Sequence, residues 1–515
     1  MALGGRKKFL GDYLAVGLSL SLQSLRPLVF IPVITGYMGT EAYGVWAQVV
    51  VTSAFLSPIL TLMFMSALTR FLAGSHNDRD VSRTYLFSVL IVGGMSAVVL
   101  FLTGLVPGAV SQLVFGDASL TPYVWAGMVF ACCSALSFML STYFCTVGKQ
   151  VTYSIFRSVE ILGQCVLILL LGPRGGIALC IYALSGWLLV LALIVLAVII
   201  ARHGWARPSL AGFPGLWRFA FWMLLTQWLF FAASSASRYV IVAMMGLGGV
   251  AVYMVAFQVA NITGMVASPN QLVLLPPLSA YWNAGQPERA RPLIRLAFLV
   301  QAVLGLSAVA MMQQLAEPLI LGLTRRGFVP APALVFCLSG GVFLCGWYNL
   351  SEMAFRMTRR FAVLQVIIAA GGLVNIGLSF LLIPRLGLLG AGLAYFVSMT
   401  VLTVPAYLIA FRAFGAGADL VRTLKAAALA GLVYLALMPI HSIPVGNIAK
   451  LLLGVCITGV TFVAGFLLLR IYGLGELRAM WAQLRRRRDE AAPLEANALA
   501  AEALSDANLD GGRQC

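Results

Sequence analysis

Charge is what this 515-residue chain has least of: Asp, Glu, Lys and Arg together make 10% of it, against 61% hydrophobic residues. A soluble domain carries about 25% charged residues, so a water-soluble fold is excluded. The nine cysteines, Cys132, Cys133, Cys165 and Cys456 among them, show no C-x-x-C spacing. That removes a zinc site or disulfide framework and leaves them as small packing residues in apolar segments. Histidine occurs three times, at His76, His203 and His441, each isolated in an expected loop. With no nucleotide-binding P-loop and no nucleophile constellation, an enzyme reading has little to stand on. Acid is scarcer than base, giving a net charge of +17. The basic residues are scattered through short loops, which argues against a nucleic-acid-binding face. Period-2 alternation is also absent, which excludes a transmembrane barrel.

What is present is apolar length. The mean hydropathy is +0.96. Fourteen runs are each long enough to cross a roughly 30 Å hydrocarbon core. They lie near residues 9–37, 42–73, 84–107, 119–147, 152–172, 176–201, 215–245, 249–281, 292–314, 330–355, 361–383, 387–411, 424–440 and 447–472. Stretches such as Trp187 to Ile200 leave helices as the way to satisfy a backbone in lipid. The expected fold class is therefore an all-α membrane protein of about 14 transmembrane helices. The first run is too long for a cleavable signal peptide and carries Arg26. Every second loop is basic, for example Arg70, Arg79 and Arg83, then Lys149 and Arg157, then Arg202, Arg207 and Arg218, whereas the opposite loops hold Arg174, Arg325, Arg326 and Arg385. This alternation places both termini in the cytoplasm. Residues 476–515 read as a basic, then disordered, cytoplasmic tail, with Arg485 to Arg488 facing anionic headgroups.

The hydropathy pattern occurs twice. Tyr43 and Gln48 recur as Tyr253 and Gln258, Ser57-Pro58 as Ser268-Pro269, Lys149 as Arg360, and Pro173-Arg174 as Pro384-Arg385, at an offset of 210 to 211. Two related six-helix lobes are expected, residues 1–205 and 206–412, followed by two additional helices in 413–475. Six spans per copy give both lobes the same orientation, with a substrate path between them.

Pro27 to Trp46, with the run Gly39-Thr-Glu-Ala-Tyr-Gly-Val-Trp46, resembles the first-helix exit of bacterial polysaccharide biosynthesis membrane proteins. Ile383-Pro-Arg-Leu-Gly-Leu-Leu-Gly-Ala-Gly-Leu-Ala394 resembles their turn between helices 11 and 12. These are the O-antigen and exopolysaccharide repeat-unit flippases of the multidrug/oligosaccharidyl-lipid/polysaccharide superfamily, and the likeness covers roughly residues 10 to 412. The resemblance implies a V-shaped, MATE-like pair of lobes that moves undecaprenyl-diphosphate-linked oligosaccharide across the bacterial inner membrane, with helices 1, 2, 7 and 8 lining the cavity. The final two helices would offer a groove for the lipid tail. It further implies bilayer lipids and the polysaccharide polymerase and export machinery as partners, no nucleic acid, and no cofactor beyond coupling to a proton or sodium gradient or the membrane potential.

Arg26 lies about eleven residues, roughly 16 Å, before the outer end of its segment. Ser19, Gln23 and Arg26 share one helical face, as do Gln227, Ser234 and Arg238 in segment 7. A lipid-facing arginine at mid-membrane costs about 2.5 to 3.5 kcal/mol, which a watery cavity removes. Snorkelling to the headgroups is the competing reading, more so for Arg238. Gln48, Gln258 and Asn261 suit either sugar contact or interhelical hydrogen bonds. Glu160 suits either ion coupling or an i, i+3 pair with Arg157. The predicted substrate-binding set is Arg26, Arg238, Gln23, Gln48, Gln227, Gln258 and Asn261. Arginines in the cavity favour an anionic cargo over the alternative, a multidrug or metabolite exporter of the same superfamily, because exporters of organic cations need acid there.

Overall fold

The structure is a computed structural model that describes residues 19, 22–23, 25–64, 78–208, 216–266, 278, 281–282, 286–324, 328–358 and 360–471. Among them the chain is all helix: fifteen α-helices and three short 3-10 turns, with no strand. In chain order α1 is Leu25–Tyr37. It is followed by α2 Thr40–Thr61, α3 Asp78–Leu105, α4 Pro107–Phe115, α5 Thr121–Thr146, α6 Gln150–Leu171, α7 Ile177–His203, α8 Leu216–Ser235 and α9 Ser237–Ala260. Next come α10 Pro287–Leu323, α11 Pro332–Thr358, α12 Phe361–Leu386, α13 Leu388–Phe414, α14 Leu420–Leu437 and α15 Asn447–Leu468.

Twelve stretches are long and apolar enough to span a membrane, and two shorter apolar helices, Leu25–Tyr37 and Ala220–Ser235, fall in the expected first and seventh segments. Many helix faces carry bare hydrocarbon, such as Phe101, Leu162, Leu169, Ile194, Val460 and Leu468. That surface is stable only against lipid, so the chain is a multi-pass integral membrane protein.

Two glycines set the entries that matter for the site. Gly39, at φ 91°, ends α1 by donating its N–H to Ile34 O at 3.1 Å and lets α2 start at Thr40. Gly246, at φ 70°, interrupts α9 where the sequence suggests the end of segment 7. Both conformations disfavour any residue with a Cβ. One feature differs from expectation. The stretch after segment 3, expected as a loop, forms the nine-residue helix α4, opened by Pro107 and closed by Gly116. Proline fits a first turn and glycine a left-handed C-cap, so the sequence did carry this signal.

The chain packs as two units: Met1–Met265 with Leu315–Val342 and Ala362–Leu402, and Val266–Gln314 with Phe343–Phe361 and Thr403–Cys515. In the first, Val81, Tyr85, Met139, Tyr143, Val195 and Ile199 from α3, α5 and α7 form a core. Its tyrosine hydroxyls are satisfied by Thr146 at 2.8 Å and His203 Nε2 at 2.8 Å, so His203 closes a helix end rather than standing free in a loop. In the second unit, Phe298, Trp347 and Tyr407 pack edge to face. There Gln314 and His441 meet at 3.0 Å.

The first unit also shows the same packing twice. Arg26 on α1 reaches Gln164 on α6 across 138 residues, and Thr226 on α8 meets Gln365 on α12 across 139. Trp187 donates to the Glu160 carbonyl at 3.1 Å, and Ser398 donates to the Gly371 carbonyl at 2.8 Å, each across 27 residues. The second bond is the first displaced by the 211-residue offset.

Candidate functional site

Arg26 and Gln258 lie together. They line a cavity of about 20 Å³ with Pro27, Phe30, Tyr43, Trp46, Ala47, Val50 and Met254. That volume holds about one water molecule, so this conformation is closed to any sugar. Among the described residues no carboxylate lines the cavity. Phe30 stacks on Trp46 at 5.2 Å and lies 5.7 Å under the Arg26 guanidinium. The guanidinium Nη1 donates to Gln164 Oε1 at 3.0 Å. Arg26 thus has a polar partner on α6, a π face below it and a small space beside it. A planar donor fork held this way is suited to grip a phosphate once the space opens.

Arg238 lies on the neighbouring face of α9's outer half. It is 7% exposed, donates to Ser235 Oγ at 2.9 Å, and its guanidinium stacks 4.5 Å from the Phe257 ring. Tyr253, one turn from Phe257 on α9, interacts with it electrostatically, as do Tyr239 and Tyr395. Tyr253 and Phe257 share one stripe of α9, while Met254 and Gln258 share the next, about 100° around the helix. The same helix therefore serves both arginines from adjacent faces, and in this conformation they do not share one cavity. The Arg238 Nε has no hydrogen-bond partner among the described residues, nor do either of the amide atoms of buried Asn375. Position for position, Asn375 corresponds to Gln164.

The remaining predicted residues divide. Gln48 is fully buried and donates to the Val114 carbonyl of α4 at 2.9 Å, which joins helices. Glu160 pairs with Arg157 at 2.6 Å, with the two side chains 7% and 14% exposed. Arg157, expected in a cytoplasmic loop, lies inside α6 instead, because its guanidinium has that carboxylate and the Phe138 ring at 5.4 Å to cover it. Gln23 is half-buried, and Gln227 and Asn261 are exposed, outside the cavity lining. The Ser57-Pro58 repeat partner Ser268-Pro269 and the tail from residue 472 lie outside the described residues. Sequence reasoning missed Gln164; its spacing of four from Glu160 on an apolar helix was the available signal.

The fold is that of the multidrug/oligosaccharidyl-lipid/polysaccharide superfamily. It is similar to the lipid II flippase MurJ in an inward closed conformation, with a TM-score of 0.69 at 13% identity over 89% of this chain and 98% of that one. It is also similar to the MATE multidrug transporter DinF-BH in complex with R6G, at 0.59 and 14% over 79% and 96%. A superfamily transporter from Pyrococcus furiosus described by the reverse polarity of its binding pocket matches at 0.59 and 12% over 79% and 95%. The family model for polysaccharide biosynthesis proteins matches residues 10–282. The chain belongs to that family. No curated protein sequence matches it.

Proposed function

We propose that this protein carries undecaprenyl-diphosphate-linked oligosaccharide from the cytoplasmic to the periplasmic leaflet of the bacterial inner membrane, by alternating access, for surface polysaccharide synthesis. One observation carries the reading: the cavity presents Arg26 on a prepared shelf of Phe30 and Trp46, with Gln258 beside it and, among the described residues, no carboxylate in its lining. An anionic junction between lipid and sugar matches a guanidinium fork, and the amide and aromatic rings match sugar hydroxyls and faces. An exporter of organic cations would need acid in that lining. Family membership supports the polysaccharide setting.

Arg26 and Arg238 bind the diphosphate in successive conformations, since adjacent faces of α9 serve them. The duplicated packing supports rocking of two six-helix lobes, 1–205 and 206–412, as the motion. Transport runs with both termini cytoplasmic and draws on a proton or sodium gradient or the membrane potential, with the polymerase and export machinery downstream. The test is a strain lacking the native gene. The Arg26→Ala, Arg238→Ala double variant at normal abundance should leave lipid-linked repeat units in the cytoplasmic leaflet, and Arg26→Lys should keep partial activity. Wild-type polymer from the double variant would overturn the diphosphate-clamp mechanism.

A further inference from the structure

The two repeats cover their arginines by different chemistry. Across the 211-residue offset, Arg157, Glu160 and Gln164 correspond to Ile368, Gly371 and Asn375. The matched bonds Trp187 to Glu160 O and Ser398 to Gly371 O fix that correspondence in three dimensions. The charged pair therefore belongs to the first repeat alone. Arg238 has a serine hydroxyl and aromatic rings around it, whereas Arg26 has a carboxylate in its neighbourhood.

Glu160 lies one helical turn before Gln164, on the face of α6 that meets Arg26. Its carboxylate is held at 2.6 Å by Arg157 Nη1, and Arg26 interacts electrostatically with both members of the pair. An ionised carboxylate only accepts, and its two oxygens can serve two guanidiniums. Two half-buried guanidiniums thus face one carboxylate, which is bonded to Arg157 and acts on Arg26 through space, and one positive charge is left over beside the cavity.

We propose that Glu160 is a built-in counter-anion that holds Arg26 while the cavity is closed and yields it to the phosphate of an incoming substrate, with Arg157 setting how firmly Glu160 holds. This deepens the anion-transport reading and rests on it. Both residues are positioning residues, and they act in opposite directions. Glu160→Gln keeps the shape but removes the competing anion, so an anionic ligand binds tighter, on the order of tenfold, and is released more slowly. Arg157→Gln hands Glu160 to Arg26, so the ligand binds weaker by a similar factor. The double variant binds as tightly as Glu160→Gln, because with the anion gone Arg157 has nothing to set.

The experiment measures binding of farnesyl diphosphate to the full-length protein in lipid nanodiscs. It compares wild type, Glu160→Gln, Arg157→Gln, the double variant, Arg157→Lys and Arg26→Ala, with thermal stability recorded for each. Opposite shifts in the two single variants, a double that matches Glu160→Gln and little change in Arg157→Lys support the proposal. Shifts in the same direction, or none, overturn it while leaving the anion site standing. If Arg157→Gln does not fold, Glu160→Gln decides alone: tighter binding supports the counter-anion, and unchanged or weaker binding overturns it. Equal binding by Arg26→Ala and wild type overturns the anion-site reading and this proposal together.

Discussion

Gly44 on α2 packs against Leu247 of α9, just past the Gly246 kink. A Cβ built on it would lie 2.4 Å from the Leu247 carbonyl oxygen and 3.0 Å from the Leu247 Cβ. Ordinary contact begins near 3.4 Å, so Gly44→Ala forces α2 and α9 apart by about 1 Å at that end. The obstacle is backbone, which no rotamer change can clear. Overpacking of this kind costs about 1 to 3 kcal/mol. If the contact exists only in the closed conformation, that cost moves the population away from it by roughly 5- to 150-fold. The cavity between Arg26 and Gln258 should then open more often. A single cysteine at Val50, which lines the cavity, in a background free of the native cysteines reports this through its rate of reaction with a membrane-impermeant thiol reagent. Gly44→Ala should raise that rate by at least several-fold, and Leu247→Ala should not reverse the gain, since the clash is with the carbonyl. An unchanged rate in a Gly44→Ala protein of wild-type stability would refute the reasoning, because the closed state would then not depend on this contact.

Two further outcomes are expected. Gln48→Leu should lower thermal stability by about 1 to 3 kcal/mol, since it orphans the Val114 carbonyl, yet leave the affinity for an anionic ligand within twofold; a selective loss of affinity would assign Gln48 to the substrate instead. Single cysteines at Asp117 and Trp205, both in exposed turns, should label from opposite sides of the membrane, Asp117 from the periplasm; labelling of position 205 from the periplasm would reverse the orientation.

The spans were legible because a run of about 20 apolar residues has one way to satisfy its backbone in lipid. The place of Arg26 was legible for the same reason, since its charge in such a run demands a watery or paired environment. Partners were not. Gln48 finds a backbone carbonyl, which has no identity in sequence, so its helix-joining role could not be separated from sugar contact. Arg157 was counted with a loop because charge at a segment edge marks the membrane boundary on average; its i, i+3 pairing with Glu160 was one of two readings of the sequence, but the Phe138 ring over it has no sequence signal. Adjacent positions on α9 explain a third gap. A polar stripe shows which residues share a face, but not that Tyr253 and Met254 turn toward different arginines.

The duplication and the charges pull in different directions, and a transporter of one anionic cargo needs both. Matched bonds from Trp187 and Ser398 give the two repeats the same internal framework, so neither is stiffer by design at those joints. A symmetric pair of equal arginine sites would hold a diphosphate equally in both conformations and favour no handover. The chain breaks the symmetry at three positions, Arg157, Glu160 and Gln164 against Ile368, Gly371 and Asn375. If the counter-anion proposal holds, one arginine has an anion to return to when its cargo leaves, while among the described residues the other has rings, a hydroxyl and an Nε without a hydrogen-bond partner. On the proposed mechanism, release from the Arg26 side is assisted and release from the Arg238 side is not, which would order the two sites along the path without altering the scaffold that moves them.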